Sequence, residues 1–158
     1  MIPEIPEIYA NRTRVRACGL CWQDEKLLMV NHQGLTPGNF WSPPGGGIEF
    51  GETVQETLVR EFLEETGVDI LPGQFRFVCE YIQQPIHAVE LFFAVSYLKG
   101  ESRKGSDPEC DAGHQIITDV KYMPVEEILA IPAHERHGVF RFIKSAADLK
   151  SLTGFYRI

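Results

Sequence analysis

The sequence has no excess of basic residues, no long apolar run and no dense set of cysteines, and each absence narrows what the chain does. With 22 acidic against 15 basic residues and a net charge of -7, it lacks the basic stripe that displaces counterions from a nucleic-acid backbone. No nucleic-acid polymer is therefore expected as a partner. No stretch approaches membrane-spanning length, and the start MIPEIPEIYANR lacks the basic end and apolar run of a secretory signal. A membrane partner is not expected, and a cytoplasmic location is. Cys18, Cys21, Cys79 and Cys110 are too few to staple 158 residues, which fits a reducing compartment. Low-complexity tracts are absent too, and 44% hydrophobic with 23% charged residues is an ordinary globular composition. Residues 1–158 are read as a single domain, long enough to bury a core unaided.

Residues 13–22 and 26–31 are apolar-rich runs on either side of a turn at Asp24, which predicts a β-hairpin. Residues 33–47 turn to Gly, Pro, Thr and Asn, loop chemistry around one short strand near Phe40 and Trp41. A helix is predicted from Thr53, with Glu56 as its capping-box partner, to Gly67, a residue suited to the position after a helix. Residues 75–84 and 88–98, joined through Pro85, read as paired strands, and 116–123 as a last strand. Residues 125–130 and roughly 135–149 read as helices. The order of elements predicts an α/β fold, a mixed β-sheet flanked by helices.

What is there in excess is glutamate in one place. Residues 46–68, GGIEFGETVQETLVREFLEETGV, hold six glutamates and one arginine. At helical spacing Glu61, Glu64 and Glu65 fall within an arc of roughly 100°, with Val54, Leu58, Val59, Phe62 and Leu63 on the adjoining side. Like charges at these spacings cost about 0.2 to 0.5 kcal/mol per pair. Acids in a last turn also oppose the helix dipole, by about 0.3 to 1 kcal/mol each. One reading is a solvated face in which Arg60 pairs Glu56 and Glu64. The other is a site for a hard divalent cation, Mg²⁺ or Mn²⁺, which relieves both penalties at once. The run Pro43-Pro44-Gly45-Gly46-Gly47 just ahead of the helix can bring carbonyls to a cation or the amides of Gly46 and Gly47 to a phosphate.

Together these residues resemble the signature of the Nudix hydrolases. Gly46, Glu52, Arg60, Glu61, Phe62, Glu64, Glu65, Gly67 and Val68 fill its specified positions without a gap, the aromatic Phe62 standing where an aliphatic residue is usual. The resemblance implies the α/β/α sandwich of that family and hydrolysis of the diphosphate linkage in a nucleoside diphosphate derivative. It implies that Glu61, Glu64 and Glu65 hold divalent metal, with the carbonyl of Gly45 as a further ligand. Arg60 then orients a neighbouring glutamate, and Glu52 ties the loop to the helix. Members of the family differ in their general base. Here Glu61 or Glu64 is favoured, and Glu109 or Asp111, with His114 close behind, is the alternative in the later loop. A homodimer is compatible with the resemblance, and a Nudix-like domain that senses a nucleotide without cleaving it is the second reading.

Substrate choice rests on less. Pro85 lies 17 residues after Val68, near where ADP-ribose pyrophosphatases of the family carry a proline, which favours ADP-ribose or a nucleotide sugar over nucleoside triphosphates. Trp41 and Tyr81 are candidates to stack on a base, against the plainer role of packing. Cys18 and Cys21 form a CxxC, and His134 and His137 an HxxH, but residues 18 and 21 of a strand point to opposite faces. Zinc is therefore not expected there.

Overall fold

The computed structural model describes residues 7–33, 38–105 and 117–158. The hairpin forms as the pattern predicts. β1 (Arg12–Gln23) and β2 (Lys26–Gln33) pair antiparallel across Asp24 and Glu25, both with positive φ. Residues 38–47 contain two short strands rather than one, β3 (Asn39–Ser42) and β4 (Gly45–Gly47). Then follow α1 (Val54–Thr66), β5 (Asp69–Gln83), β6 (Ile86–Lys99), β7 (Ile117–Pro124), α2 (Val125–Ala130), α3 (Ala146–Ser151) and β8 (Gly154–Arg157).

The strands form one mixed sheet in the order β3-β2-β1-β6-β5-β8, with β4 also on β1 and β7 also on β2. β1 runs parallel to β6 and β5 parallel to β8, while the other pairs are antiparallel. Strand alternation divides the core in two. Ala17 and Cys21 of β1 join Leu58 and Phe62 of α1 on one face. Cys18 and Leu20 point to the other face, against Ile128 of α2, Phe140 and Leu149 of α3. Helices cover both faces, the α/β/α sandwich that the resemblance implies. Among the described residues no helix is long and apolar enough to cross a membrane.

A second expectation also fails. Residues 135–149 do not form a continuous helix. Short 3₁₀ segments (Ala133–Glu135 and Gly138–Phe142) lead to extended backbone at Ile143, and α3 starts afresh behind Ser145, whose hydroxyl accepts from the Asp148 N–H. The closing strand β8 had no counterpart in the sequence reading. The two cysteines of the CxxC lie on opposite faces of the sheet, Cys18 in one half of the core and Cys21 in the other. Cys18, Cys21 and Cys79 are free and buried, and burial pushes all three thiols up, Cys79 to about 12.

Candidate active site

The site is built on α1, whose start is fixed locally. Thr53 accepts from the Glu56 N–H at 3.2 Å while the Glu56 carboxylate accepts from the Thr53 N–H at 2.8 Å, a reciprocal cap. Glu56 is thereby committed to the helix start and does not pair with Arg60, a correction to the simple i, i+4 reading. At the other end Gly67 takes the left-handed conformation and returns its N–H to the Leu63 carbonyl. The buried stripe is Thr57, Leu58, Phe62, Glu65 and Thr66. Leu63, expected among the apolar positions, is exposed, and Glu65 is the residue that turns inward.

Arg60 organises the other carboxylates. Its Nε and Nη2 donate to the two oxygens of Glu52 at 2.7 and 2.9 Å, its Nη1 to Glu61 at 2.7 Å and Glu64 at 3.2 Å, and its Nη2 also to the Gly47 carbonyl at 3.2 Å. Glu52 further accepts from the Thr57 hydroxyl at 2.6 Å and the Glu49 N–H at 3.2 Å, and the Arg60 hydrogen bonds hold it down to about 2. Loop, helix and glycine strand are thus joined through one guanidinium. Glu49 is exposed and stands 3.9 Å from Arg60.

The glycine strand lies directly against the acids. Gly45 donates its N–H to Glu65 Oε2 at 3.2 Å. At Gly46 an added Cβ would fall 2.2 Å from Glu61 Oε1 and push the carboxylate from its present place, so glycine lets the strand lie directly against it. β4 is held to β1 through Ala17 opposite Gly46 and Arg16 opposite Gly47. Burial, and after it the neighbouring Glu65, push Glu61 up to about 7 against the opposing pull of Arg60.

Two histidines and two further charges join this region from outside the helix. His32 of β2 is buried, with Nε2 3.8 Å from Glu65 Oε1 and Nδ1 without a hydrogen-bond partner among the described residues. Arg16 of β1 donates to the Gly45 carbonyl at 3.1 Å and to Glu90 of β6, which His137 also contacts. Sequence reasoning passed over His32, Arg16 and Glu90 and weighed His137 only within the HxxH pair, since nothing in their local spacing connects positions so far apart in the chain.

Of the predicted residues, Gly45, Gly46, Gly47, Glu52, Arg60, Glu61, Glu64 and Glu65 are therefore brought together. Trp41 and Tyr81 are placed otherwise. Trp41 is buried in the core behind α2, with the Lys121 ammonium 5.4 Å from its ring. Tyr81 is half-buried on β5 and its hydroxyl donates to Gln83 at 2.5 Å. Glu109, Asp111 and His114 lie outside the described residues. The segment leading toward them crosses the end of α1, where Arg103 and Gly105 donate N–H groups to the Thr66 and Glu65 carbonyls at 2.8 and 2.9 Å.

The donors fit a hard divalent cation. They are carboxylate and carbonyl oxygens, one carboxyl raised to about 7 by burial and then by its acidic neighbour, with the unpaired nitrogen of His32 close behind. Among the described residues no three His, Cys, Asp or Glu side chains converge on a single point, and Glu61 and Glu64 both accept from Arg60.

The profile of the NUDIX domain matches residues 11–142. An ADP-ribose pyrophosphatase of Methanocaldococcus jannaschii is 30% identical over 93 residues, covering 56% of this chain and 54% of its own length. A nucleoside triphosphatase NudI of Salmonella heidelberg is 41% identical over 73 residues, 41% of this chain and 51% of its own. The chain thus spans about half the length of these curated relatives. Among solved structures, a NUDIX hydrolase from Nitrosomonas europaea superposes with a TM-score of 0.72 at 19% identity, covering 90% of this chain and 93% of that one.

Proposed function

The chain belongs to the Nudix family, and on that premise we propose that it is a metal-dependent hydrolase cleaving the diphosphate linkage of a small nucleoside diphosphate derivative. The observation that carries the reading is the seating of Glu61 and Glu65 against the glycine strand, one packed on Gly46 and the other bonded to the Gly45 N–H. Hydrolases of this family generally use divalent ions. In this reading the ion is Mg²⁺, with Mn²⁺ able to replace it, held by Glu61, Glu64, Glu65 and the Gly45 carbonyl. When bound, such an ion neutralises phosphate oxygens and charge developing on the leaving oxygen, and acidifies the attacking water.

The chain's own residues do the rest. Arg60 holds Glu52 and orients Glu61 and Glu64, and Gly46 and Gly47 form the wall on which the phosphates rest. Glu61 or Glu64 is our choice as general base, ahead of Glu109 or Asp111. An ADP-ribose or nucleotide-sugar substrate is favoured by Pro85 at the turn between β5 and β6, while the relatives' names point to both classes, an ADP-ribose pyrophosphatase and a nucleoside triphosphatase. The reading includes a cytoplasmic location and accommodates a homodimer.

The test is turnover with Mg²⁺ on a panel of ADP-ribose, nucleotide sugars, dinucleoside polyphosphates and oxidised nucleoside triphosphates, with products identified. Replacing Glu64 or Glu65 by Gln is expected to lower kcat/KM on the order of 100-fold or more while the fold persists. Unchanged activity in both variants would remove the metal assignment. Binding without turnover across the panel would instead favour a nucleotide sensor.

A further inference from the structure

We propose that Arg16, Glu90 and His137 form a positioning relay that fixes the Gly45 carbonyl for the cation, an inference that rests on the function proposed above. The relay begins outside the site. The backbone N–H of Val139 donates to His137 Nδ1 at 3.2 Å, which leaves the ring proton on Nε2, directed at Glu90 Oε2 at 2.5 Å. The second oxygen of Glu90 accepts from Arg16 Nη1, and Arg16 Nη2 reaches the Gly45 carbonyl at 3.1 Å. One carboxylate therefore sets the plane of the guanidinium, and the guanidinium in turn sets the direction of the carbonyl.

The placement is costly, which argues against an incidental arrangement. Glu90 and His137 are 4% and 5% exposed, and burying a carboxylate costs several kcal/mol before its partners return any of it. The same core could be closed with apolar side chains, as it is a few residues away at Phe92 and Phe140. Each part is also held against rotation. The His137 N–H donates to the Trp41 carbonyl at 2.8 Å, and the Phe92 ring stands edge-on to the imidazole at 5.4 Å. The direction of the Gly45 N–H is fixed independently by Glu65. The peptides flanking the Gly45 α-carbon are thus pinned from two sides, by α1 through the N–H and by the relay through the carbonyl. Partners behind a metal ligand act by orienting it, and losing them typically weakens metal binding about 10- to 100-fold.

The test is Mn²⁺ affinity, titrated by electron paramagnetic resonance on the full chain, alongside thermal unfolding and kcat/KM. His137→Leu removes the donor to Glu90, and His137→Gln restores one at a similar reach. Arg16→Lys keeps the charge but loses the fork that spans Glu90 and Gly45. We expect His137→Leu and Arg16→Lys to bind Mn²⁺ about 10- to 100-fold more weakly, and His137→Gln to recover to within about threefold. Recovery by the donor-bearing variant separates positioning from general loss of packing. If His137→Leu does not fold, Arg16→Lys, on a side chain still partly exposed, decides the matter. Wild-type affinity in folded Arg16→Lys and His137→Leu, with wild-type protein binding Mn²⁺ and turning over, overturns the relay alone. Wild-type protein that neither binds Mn²⁺ nor hydrolyses any diphosphate overturns the function and the relay with it.

Discussion

Glu61 occupies a position where three effects meet. Burial and Glu65 disfavour its charge, and Arg60 favours it, with the balance at about 7. A carboxyl raised to about 7 is partly protonated near neutrality, and a cation that it ligates displaces that proton. Calorimetric titration of Mn²⁺ in buffers of differing ionisation heat should accordingly show more proton release at pH 7 than at pH 9. Equal release at both values would mean that Glu61 is ionised before the cation arrives. The sign for stability follows from the same balance. The folded value lies above the ordinary 4.5, so the stability contributed by protonated Glu61 is present below 4.5 and lost as pH rises through about 7. At this scale the sequence was informative where residues share one helix, because the spacing of Glu61, Glu64 and Glu65 already fixes their common side. It was silent on the meeting of Arg16, Glu90 and His137, which comes about only through strand pairing and a 3₁₀ segment.

At the scale of elements, α1 carries the site only if its last turn is held. That turn has acids where the dipole wants cations, and its carbonyls at Glu65 and Thr66 are closed by residues 103–105 rather than by water. The closure is tight. An added Cβ at Gly105 would lie 1.9 Å from the Glu64 carbonyl oxygen, a backbone atom that cannot swing away. Gly105→Ala should therefore lift this segment from the helix end, with a loss of about 1 to 3 kcal/mol by urea unfolding and weaker Mn²⁺ binding. Stability and affinity both at wild-type values would show that the helix end does not depend on the segment. The elements legible in advance were those with local punctuation: the Asp24 turn, the Thr53 cap, the Gly67 stop. Residues 135–149 misled because Val139, Phe140, Ile143 and Leu149 are all buried at spacings that also suit a helix. The signal against it was Ser145 followed three residues later by Asp148, a fresh helix start that the apolar pattern outweighed.

For the molecule as a whole, Glu90 is the point at which the central strands, the glycine strand and the cover on the far face are joined. Burial alone would raise its carboxyl, but the His137 N–H and the Arg16 guanidinium reverse that and hold it down to about 2. Its folded value therefore lies below the ordinary 4.5. Stability from ionised Glu90 is complete above 4.5 and is lost as pH falls from there through about 2. Glu90→Gln would leave the Arg16 cation without its anion, a change that typically costs about 3 to 5 kcal/mol when a buried pair is broken. Urea unfolding of wild type and variant should show that gap in full at pH 6 to 7. It should narrow at pH 4 and 3, and close as pH approaches about 2, because a protonated Glu90 and a glutamine then present the same neutral group to Arg16. Glu61 titrates in both proteins and so cancels from the difference, which leaves Glu90 as the group being read. A gap that persists unchanged at low pH would mean that shape, and not charge, is what Glu90 contributes to the fold.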